Sequence, residues 1–494
     1  MKVLFVHSTT EAGTLRKPLQ SLEQMQFGVS YISAVLKEHG HETRLVVLNS
    51  AAGLGTRPLL KETFEGFSPG LVCFTAVATE IDFIRSVAEV VRREVPGAFL
   101  LAGGPHVSLN PEQCGGDPFD AVCVGEGEYP TLELADCLEQ GGEPSGIMNL
   151  WIRSNQAIER NPTRPFVADL DRLPFPDREM WLPWLDSAEV RRTSVLLGRG
   201  CPFSCTYCSN HALRSVAGGE YVRFRSPDNI VREIEHVAAS TPSIEELYLE
   251  VETIPVRKDW FRGLCDNLRR FNAGRSRRIT FGTNVRITPN ADYDDMFAAF
   301  KQAGFRFVNI GLESGSERIR RDVLSRRYAN DDVIRATDAA RAHGIQVCLY
   351  NMIGLPCETW EDFRETVEVN RRVQPDWHMT SVFYPYPGTA LYRTCVEDGL
   401  LPGAGIRGLE RRTPVLRLAG FPRWKVYLSY IGFEYLVYHG HRSASRVFLR
   451  MLITALASRP VLNRVFRALL KVGLLRRLKM LVKGGHGPPT QGGS

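Results

Sequence analysis

The sequence predicts an α/β chain: a doubly wound N-terminal domain, a partial (β/α) barrel, then a helical C-terminal region. Three observations carry this. Short apolar runs alternate with stretches of helical period from the first residue to about residue 380. Several of those runs are continuously apolar, as parallel strands covered on both faces require. After about residue 400 the alternation stops, and bases recur among apolar residues at helical spacing.

In the first third, Met1–Val6 reads as a buried strand and Gly28–His39 as a helix. The strands His41–Leu48 and Gly70–Phe74, the helix Ile81–Val95 and the strand Ala98–Ala102 follow. Ligands on such sheets bind at the carboxyl ends of the strands. Two loops there stand out, Gly103-Gly104-Pro105-His106 and Val124-Gly125-Glu126-Gly127-Glu128. Glycine lets a ligand approach the backbone closely, although plain turn chemistry accounts equally well for either loop alone. Residues 151–190, with Leu173-Pro174-Phe175-Pro176-Asp177 and Trp181-Leu182-Pro183-Trp184, make a poor helix and a poor strand and read as an ordered connector.

From Thr193–Leu197 the alternation resumes. Strands are expected at Glu246–Val251, Ile279–Thr283, Phe307–Gly311, Gln346–Met352 and Trp377–Val382. Helices are expected at Pro227–Ser240, Asp259–Phe271, Asp292–Ala303, Asp331–Ala342 and Trp360–Val373. Chemistry in such barrels sits at the carboxyl ends of the strands. Polar residues recur there: Glu250 and Glu252, Asn284 and Arg286, Glu313 and Ser314, then Asn351 before Gly354-Leu355-Pro356. A cap or loop hydrogen bond explains any one of them; four successive strand ends point to a ligand.

The composition, 44% apolar and 23% charged over 494 residues, is that of an ordinary globular protein. Most of the eleven cysteines are scattered through apolar segments and read as buried free thiols. No signal peptide opens the chain and no apolar run reaches a membrane span, so a reducing cytoplasm is expected. Three cysteines are grouped: Cys201, Cys205 and Cys208, spaced C-x3-C-x2-C. Thiolates so close together select an iron–sulfur cluster, zinc or Cu(I). Structural zinc wants a fourth ligand, and His211 is the one neighbour. A 4Fe–4S cluster on three cysteines keeps one iron open for a ligand.

With Tyr207 before the last cysteine, this motif resembles the radical S-adenosylmethionine (radical SAM) enzymes. The pair GGPH and GEGE resembles the cobalamin-binding domain of the cobalamin-dependent members. The resemblance implies a Rossmann-like cobalamin domain over residues 1–150, a linker over 151–190 and a partial TIM-type barrel over 191–400. A basic helical region over 401–483 and a disordered tail over 484–494 complete the expected layout. It further implies that Cys201, Cys205 and Cys208 hold a 4Fe–4S cluster whose open iron chelates S-adenosylmethionine. Tyr207, Glu250, Glu252, Asn284, Arg286, Glu313, Ser314, Asn351 and Gly354 would surround S-adenosylmethionine, Glu252 being favoured over Glu250. Gly103, Gly104, His106, Gly125, Glu126 and Gly127 would contact cobalamin. The loop His7-Ser8-Thr9-Thr10-Glu11-Ala12-Gly13 lacks the D-x-H-x-x-G pattern, so the lower ligand of cobalt is unassigned.

The implied activity is methyl transfer from S-adenosylmethionine, through methylcobalamin, to an unactivated carbon on which a 5′-deoxyadenosyl radical has acted. A flavodoxin- or ferredoxin-type donor would supply electrons. A non-methylating ring closure, a methylthiotransferase and a non-catalytic cobalamin or redox sensor remain open. Between Trp424 and Lys483 the one acid is Glu434 amid many bases, as basic amphipathic helices for an anionic membrane would have. A helical cap docked on the barrel is the alternative, and nucleic acid is not expected. Lipid is the favoured substrate, with a tetrapyrrole or natural-product intermediate open.

Overall fold

The computed structural model describes all residues except 11–13, 117, 155–156, 188, 255–257, 403–408 and 459–494, and the side chain of residue 54. It contains two compact units: Met1–Phe203 with Cys208–Glu250, and Ser204–Tyr207 with the described residues from Val251 onward. The expected tail and residues 459–483 of the expected basic region lie outside the described residues.

In the first unit, seven strands form one sheet: β1 (Lys2–Thr9), β2 (Glu42–Asn49), β3 (Leu71–Thr75), β4 (Phe99–Gly103), β5 (Ala121–Cys123), β6 (Leu150–Ser154) and β7 (Ala157–Arg160). Their order is β2-β1-β3-β4-β5-β6-β7. The first five are parallel, with Val3 opposite both Thr43 and Leu71. This is the doubly wound arrangement, its order reversing between β1 and β3, where such sheets take ligands. One face buries Leu4, Val6, Val72, Phe74 and Leu100 beneath Leu60, Phe64, Ile84 and Val87 of two helices.

Strands β6 and β7 pair antiparallel at the sheet edge, where the sequence predicts connector. An edge hairpin with one solvated face has no continuous apolar run and so resembles a loop in sequence. The rest of the connector is strapped to the helix Phe27–Glu38. Trp181, fully buried, donates to Ser30 Oγ at 2.8 Å, and Asp177 accepts from Ser33 Oγ at 2.7 Å.

The same unit holds β8 (Arg192–Leu196), paired with the first half of β11 (Glu246–Ile254). Between them runs a short antiparallel ribbon of β9 (Gly198–Arg199) and β10 (Arg223–Phe224), with Arg199 opposite Arg223. A Cβ at Gly198 would stand 2.4 Å from the Arg223 carbonyl oxygen, and one at Gly200, φ +84°, 2.1 Å from that of Tyr221. Both positions therefore need glycine. Behind the ribbon, Glu233 is wholly buried and pairs with Arg178 at 2.6 Å and with Arg225. Arg225 also donates to Asn229 Oδ1 and the Leu196 carbonyl, at 2.8 and 2.9 Å.

In the second unit the remainder of β11 is followed by β12 (Thr280–Val285), β13 (Phe305–Glu313), β14 (Gln346–Ile353) and β15 (Trp377–Val382). These are neighbours in chain order, and β12 to β15 are parallel. Helices Lys258–Ala273, Tyr293–Ala303, Asn330–Ala342 and Trp360–Val373 connect them, as a (β/α) series requires. The helices Arg423–Tyr438 and Ala444–Ala457 then pack together and against Trp360–Val373 and β15.

Among the described residues of this region, several bases meet protein groups, as in a helical cap docked on the barrel. Arg442 donates to the carbonyls of Pro375 and Asp376 at 2.9 and 2.8 Å, and Lys425 sits 4.0 Å from the centre of the Trp360 ring. Buried Glu434 gathers His378 at 3.0 Å and Arg450 at 3.6 Å. Among the described residues no helix is long and apolar enough to cross a membrane.

Removing Glu233 strands two buried guanidiniums, a change that costs about 3–5 kcal/mol. Glu233→Ala is therefore expected to lower the first thermal transition by roughly 10 °C. An unchanged transition in differential scanning calorimetry would show the network to be energetically idle.

Candidate functional site

Cys201 and Cys208 are half-buried and Cys205 is buried; all three, like the other cysteines, are free thiols. Cys205 and Tyr207 belong to the second unit, which pins this piece of the loop firmly. Thr206 donates its hydroxyl to the Val323 carbonyl at 2.6 Å and accepts from Leu391 N at 2.9 Å. Arg286, at the end of β12, donates Nη1 to Cys205 Sγ at 3.0 Å. Tyr207 donates its hydroxyl to Glu313 Oε1 at 3.1 Å and accepts from Arg326 at 2.9 Å, while Arg326 also pairs with Glu313. A register shift at the end of β13 turns Glu313 into this position, at φ +62°. Burial opposes the Arg326 charge, but Tyr207, Tyr328 and Glu313 outweigh it and keep the guanidinium protonated. Arg326 has no sequence signal of its own, because it lies past the strand end among other arginines.

The other strand-end residues divide. Glu252 is exposed and Glu250 half-buried. Asn284 donates to the Val251 carbonyl at 3.2 Å. Asn351 is buried and exchanges amide hydrogen bonds with Asn370, at 2.8 and 3.3 Å. Ser314 is buried and accepts from Ser316 N at 3.2 Å. For these last two the structure supplies an internal partner that accounts for the polar group without a ligand. Gly354, φ +76°, donates its N–H to Glu358 Oε2 at 2.5 Å, and Leu355 does so at 3.0 Å. Glu358, missed in the sequence, is buried beneath this loop, and desolvation pushes its carboxyl up to about 8. Tyr386 is taken up by Glu410 and Arg411.

In the first unit the glycine loops are close-packed. A Cβ at Gly104, φ +104°, would lie 2.9 Å from the Ala76 carbonyl oxygen, and one at Gly127 would lie 2.8 Å from Ile32. Gly103 and Gly125 likewise face protein atoms, Cys123 and Asn149. Where they touch protein, these glycines lie against a strand, a helix side chain and neighbouring loops. His106 is buried, with Asn110 Nδ2 3.4 Å from its Nδ1. Glu126 carries two arginines, Arg199 at 2.9 Å and Arg223 at 2.9 and 3.1 Å. Burial would raise its carboxyl, but the guanidiniums of Arg199 and Arg223 outweigh that and hold it below the usual range.

Comparison with known proteins places this geometry. Residues 195–369 match the radical SAM superfamily and residues 22–135 match the B12-binding domain. The chain thus joins the two domains of the cobalamin-dependent radical SAM enzymes. It is 27% identical to an uncharacterized methyltransferase, PH0819, of Pyrococcus horikoshii, over 85% of this chain and 89% of that one. It is 24% identical to the anaerobic magnesium-protoporphyrin IX monomethyl ester cyclase of Rubrivivax gelatinosus, over 80% of this chain and 70% of that one. Its fold is similar to the methyltransferase TsrM of Kitasatospora setae, solved with cobalamin and a [4Fe-4S] cluster, at a TM-score of 0.63 and 19% identity, over 82% of this chain and 77% of that one.

A radical SAM domain and a B12-binding domain are the parts that would hold a 4Fe–4S cluster with S-adenosylmethionine, and a cobalamin. The residues present fit them. Three free thiols share one short loop, with a cationic donor beside Cys205. In the first unit, ahead of the matched B12-binding residues, buried His7 at the carboxyl-end half of β1 keeps Nδ1 unpartnered, and desolvation lowers its pKa to about 4. That ring is neutral and keeps a nitrogen available.

Glu358 gives a pH test. Its proton is held up to about pH 8 in the fold, whereas an exposed glutamate loses it near 4.5. Between those values the unfolded chain sheds the proton first, so this group's contribution to stability falls as pH rises. Glu358→Gln should remove that slope, and its melting temperature should gain on wild type steadily from about pH 5 to pH 8. A difference independent of pH would mean that Glu358 is ionised in the fold.

Proposed function

We propose that this enzyme moves a methyl group from S-adenosylmethionine, by way of cobalamin, to an unactivated carbon of a lipid, tetrapyrrole or natural-product substrate. The observation that carries the reading is the union in one chain of an open three-thiol loop and a B12-binding domain. A relative named a methyltransferase, similar along most of both chains, supports it. When bound, the cluster with S-adenosylmethionine supplies one-electron cleavage, and the corrin supplies a methyl carrier. Arg286, beside Cys205, offers a guanidinium fork to the carboxylate of S-adenosylmethionine. Glu252, exposed at the end of β11, offers a carboxylate to its ammonium group. Arg326 and Glu313 hold Tyr207 in place, and an external flavodoxin- or ferredoxin-type protein supplies the electron.

Incubation of the loaded enzyme with methyl-labelled S-adenosylmethionine, a reductant and lipid or tetrapyrrole extracts tests this. Label is expected in the product, together with 5′-deoxyadenosine. The triple change Cys201→Ala, Cys205→Ala, Cys208→Ala should abolish the cluster's visible absorbance and 5′-deoxyadenosine together. A product without label would instead favour ring closure, the reading that the resemblance to the Rubrivivax gelatinosus cyclase supports.

The finer part of the proposal is that substrate is met at the anionic inner face of a membrane. Trp424, Leu428, Phe448 and Leu452 are 65, 58, 57 and 56% exposed, and Tyr435 contacts Phe448 on the same surface. Contiguous exposed apolar residues mark an interaction surface. From Arg459 to Lys483 the chain then carries bases and no acids, a complement for lipid phosphates. The enzyme should float with vesicles of phosphatidylcholine and phosphatidylglycerol but not of phosphatidylcholine alone. Trp424→Ser with Phe448→Ser should weaken that by at least about tenfold. If the pair of changes leaves flotation intact but splits a dimer in light scattering, the surface joins two copies instead.

A further inference from the structure

The two ends of the loop that carries the cysteines, at Cys201 and at Cys208, are held by the glycine loops of the B12-binding region, and these contacts lie within the first unit. On the Cys201 side, Arg199 donates Nη1 to Glu126 Oε1 at 2.9 Å and Nη2 to Glu128 Oε1 at 2.5 Å. Arg199 stands two residues before Cys201, and Gly200 between them is locked against Tyr221. On the Cys208 side, the helix Ser209–Leu213 starts directly after the cysteine. It packs on the helix Pro105–Leu109, which starts directly after Gly104. Val216, a little further on, would lie 3.7 Å from a Cβ on Gly125.

The carboxylate of Glu126 is fully engaged. Oε1 accepts from Arg199 Nη1 and Arg223 Nη2, both at 2.9 Å. Oε2 accepts from Arg223 Nη1 at 3.1 Å and Val167 N at 2.7 Å. A carboxylate has about four lone-pair sites, so none is left for an amide of the corrin. Glu128 is more deeply buried, on the second nitrogen of Arg199. The acids of the GEGE loop thus serve the cysteine loop.

We propose that Glu126 and Glu128 form a clamp rather than a cofactor contact. The clamp makes seating of cobalamin on the glycine loops and seating of the cluster on the cysteine loop mutually dependent. The proposal rests on the cofactor reading above. The chain reaches Cys201 through Arg199, and Arg199 reaches the B12-binding region through these two carboxylates. Anything that orders one loop orders the other, and such coupling is reciprocal.

Hydroxocobalamin titration, followed by absorbance, tests this on the cluster-loaded enzyme and on the cluster-free Cys201→Ala, Cys205→Ala, Cys208→Ala form. The loaded wild type should bind about tenfold more tightly, and cobalamin should slow loss of iron to a chelator. In Arg199→Gln or Glu128→Gln the cluster-free affinity should be unchanged, while the gain from the cluster shrinks to within about twofold. The swap Glu128→Arg with Arg199→Glu should recover part of that gain over either single change. Equal affinity of loaded and cluster-free wild type would overturn the clamp, and that comparison stands even where a variant fails to fold. So would Glu128→Gln losing cobalamin in the cluster-free background, since the acid would then touch the cofactor itself. A protein that binds no cobalamin in either form would overturn the cofactor reading, and the clamp with it.

Discussion

The ribbon before the cysteines depends on how closely two stretches of backbone approach. At Gly198 and Gly200 the carbonyl oxygens of Arg223 and Tyr221 stand where a side chain would begin. That closeness sets Arg199 directly across from Arg223, and like charges directly opposite on paired strands repel. The pairing exists because Glu126 accepts from both guanidiniums and Glu128 from one. Those arginines in turn hold the Glu126 carboxyl below its usual range, since burial alone would raise it. Glycine spacing, facing arginines and acidic loop are therefore one interaction seen from three sides.

The helices and strands were largely legible in the residues because apolar period reports burial directly. The helices Pro227–Ser240 and Trp360–Val373 and the strand Trp377–Val382 begin and end where the pattern predicts. Ser226 and Thr359 cap the two helices through Asn229 N and Asp362 N. The hairpin β6–β7 was not legible, since an edge with one wet face alternates weakly and shares its composition with loops. Within the site, the cysteine spacing carried the reading because thiolate chemistry is specific. Polarity at a strand end is not specific in that way. Asn351 satisfies the same expectation as Arg286, yet it pairs with Asn370 whereas Arg286 meets Cys205. Arg199, Arg326 and Glu358 could not be singled out, because a charged residue is buried only where the fold brings a partner from far along the chain. One cue to Arg199 was present in the sequence: two glycines flank it immediately before Cys201.

The C-terminal helices show the same limit from the other side. A base-rich segment suggests a charged surface, but a guanidinium also meets the carbonyls that every helix end leaves without intrahelical partners. Here that demand is met reciprocally. Arg371, from the helix Trp360–Val373, donates to the Leu436 carbonyl at 2.9 Å near the end of Arg423–Tyr438. Arg442, just beyond that second helix, donates back to Pro375 and Asp376, just beyond the first. Glu434, buried between them, meets His378 and Arg450, and the His378 hydrogen bond with the nearby arginines holds its carboxyl low against the pull of burial. Beside these inward contacts, the described helix pair turns Trp424, Leu428, Phe448 and Leu452 to solvent.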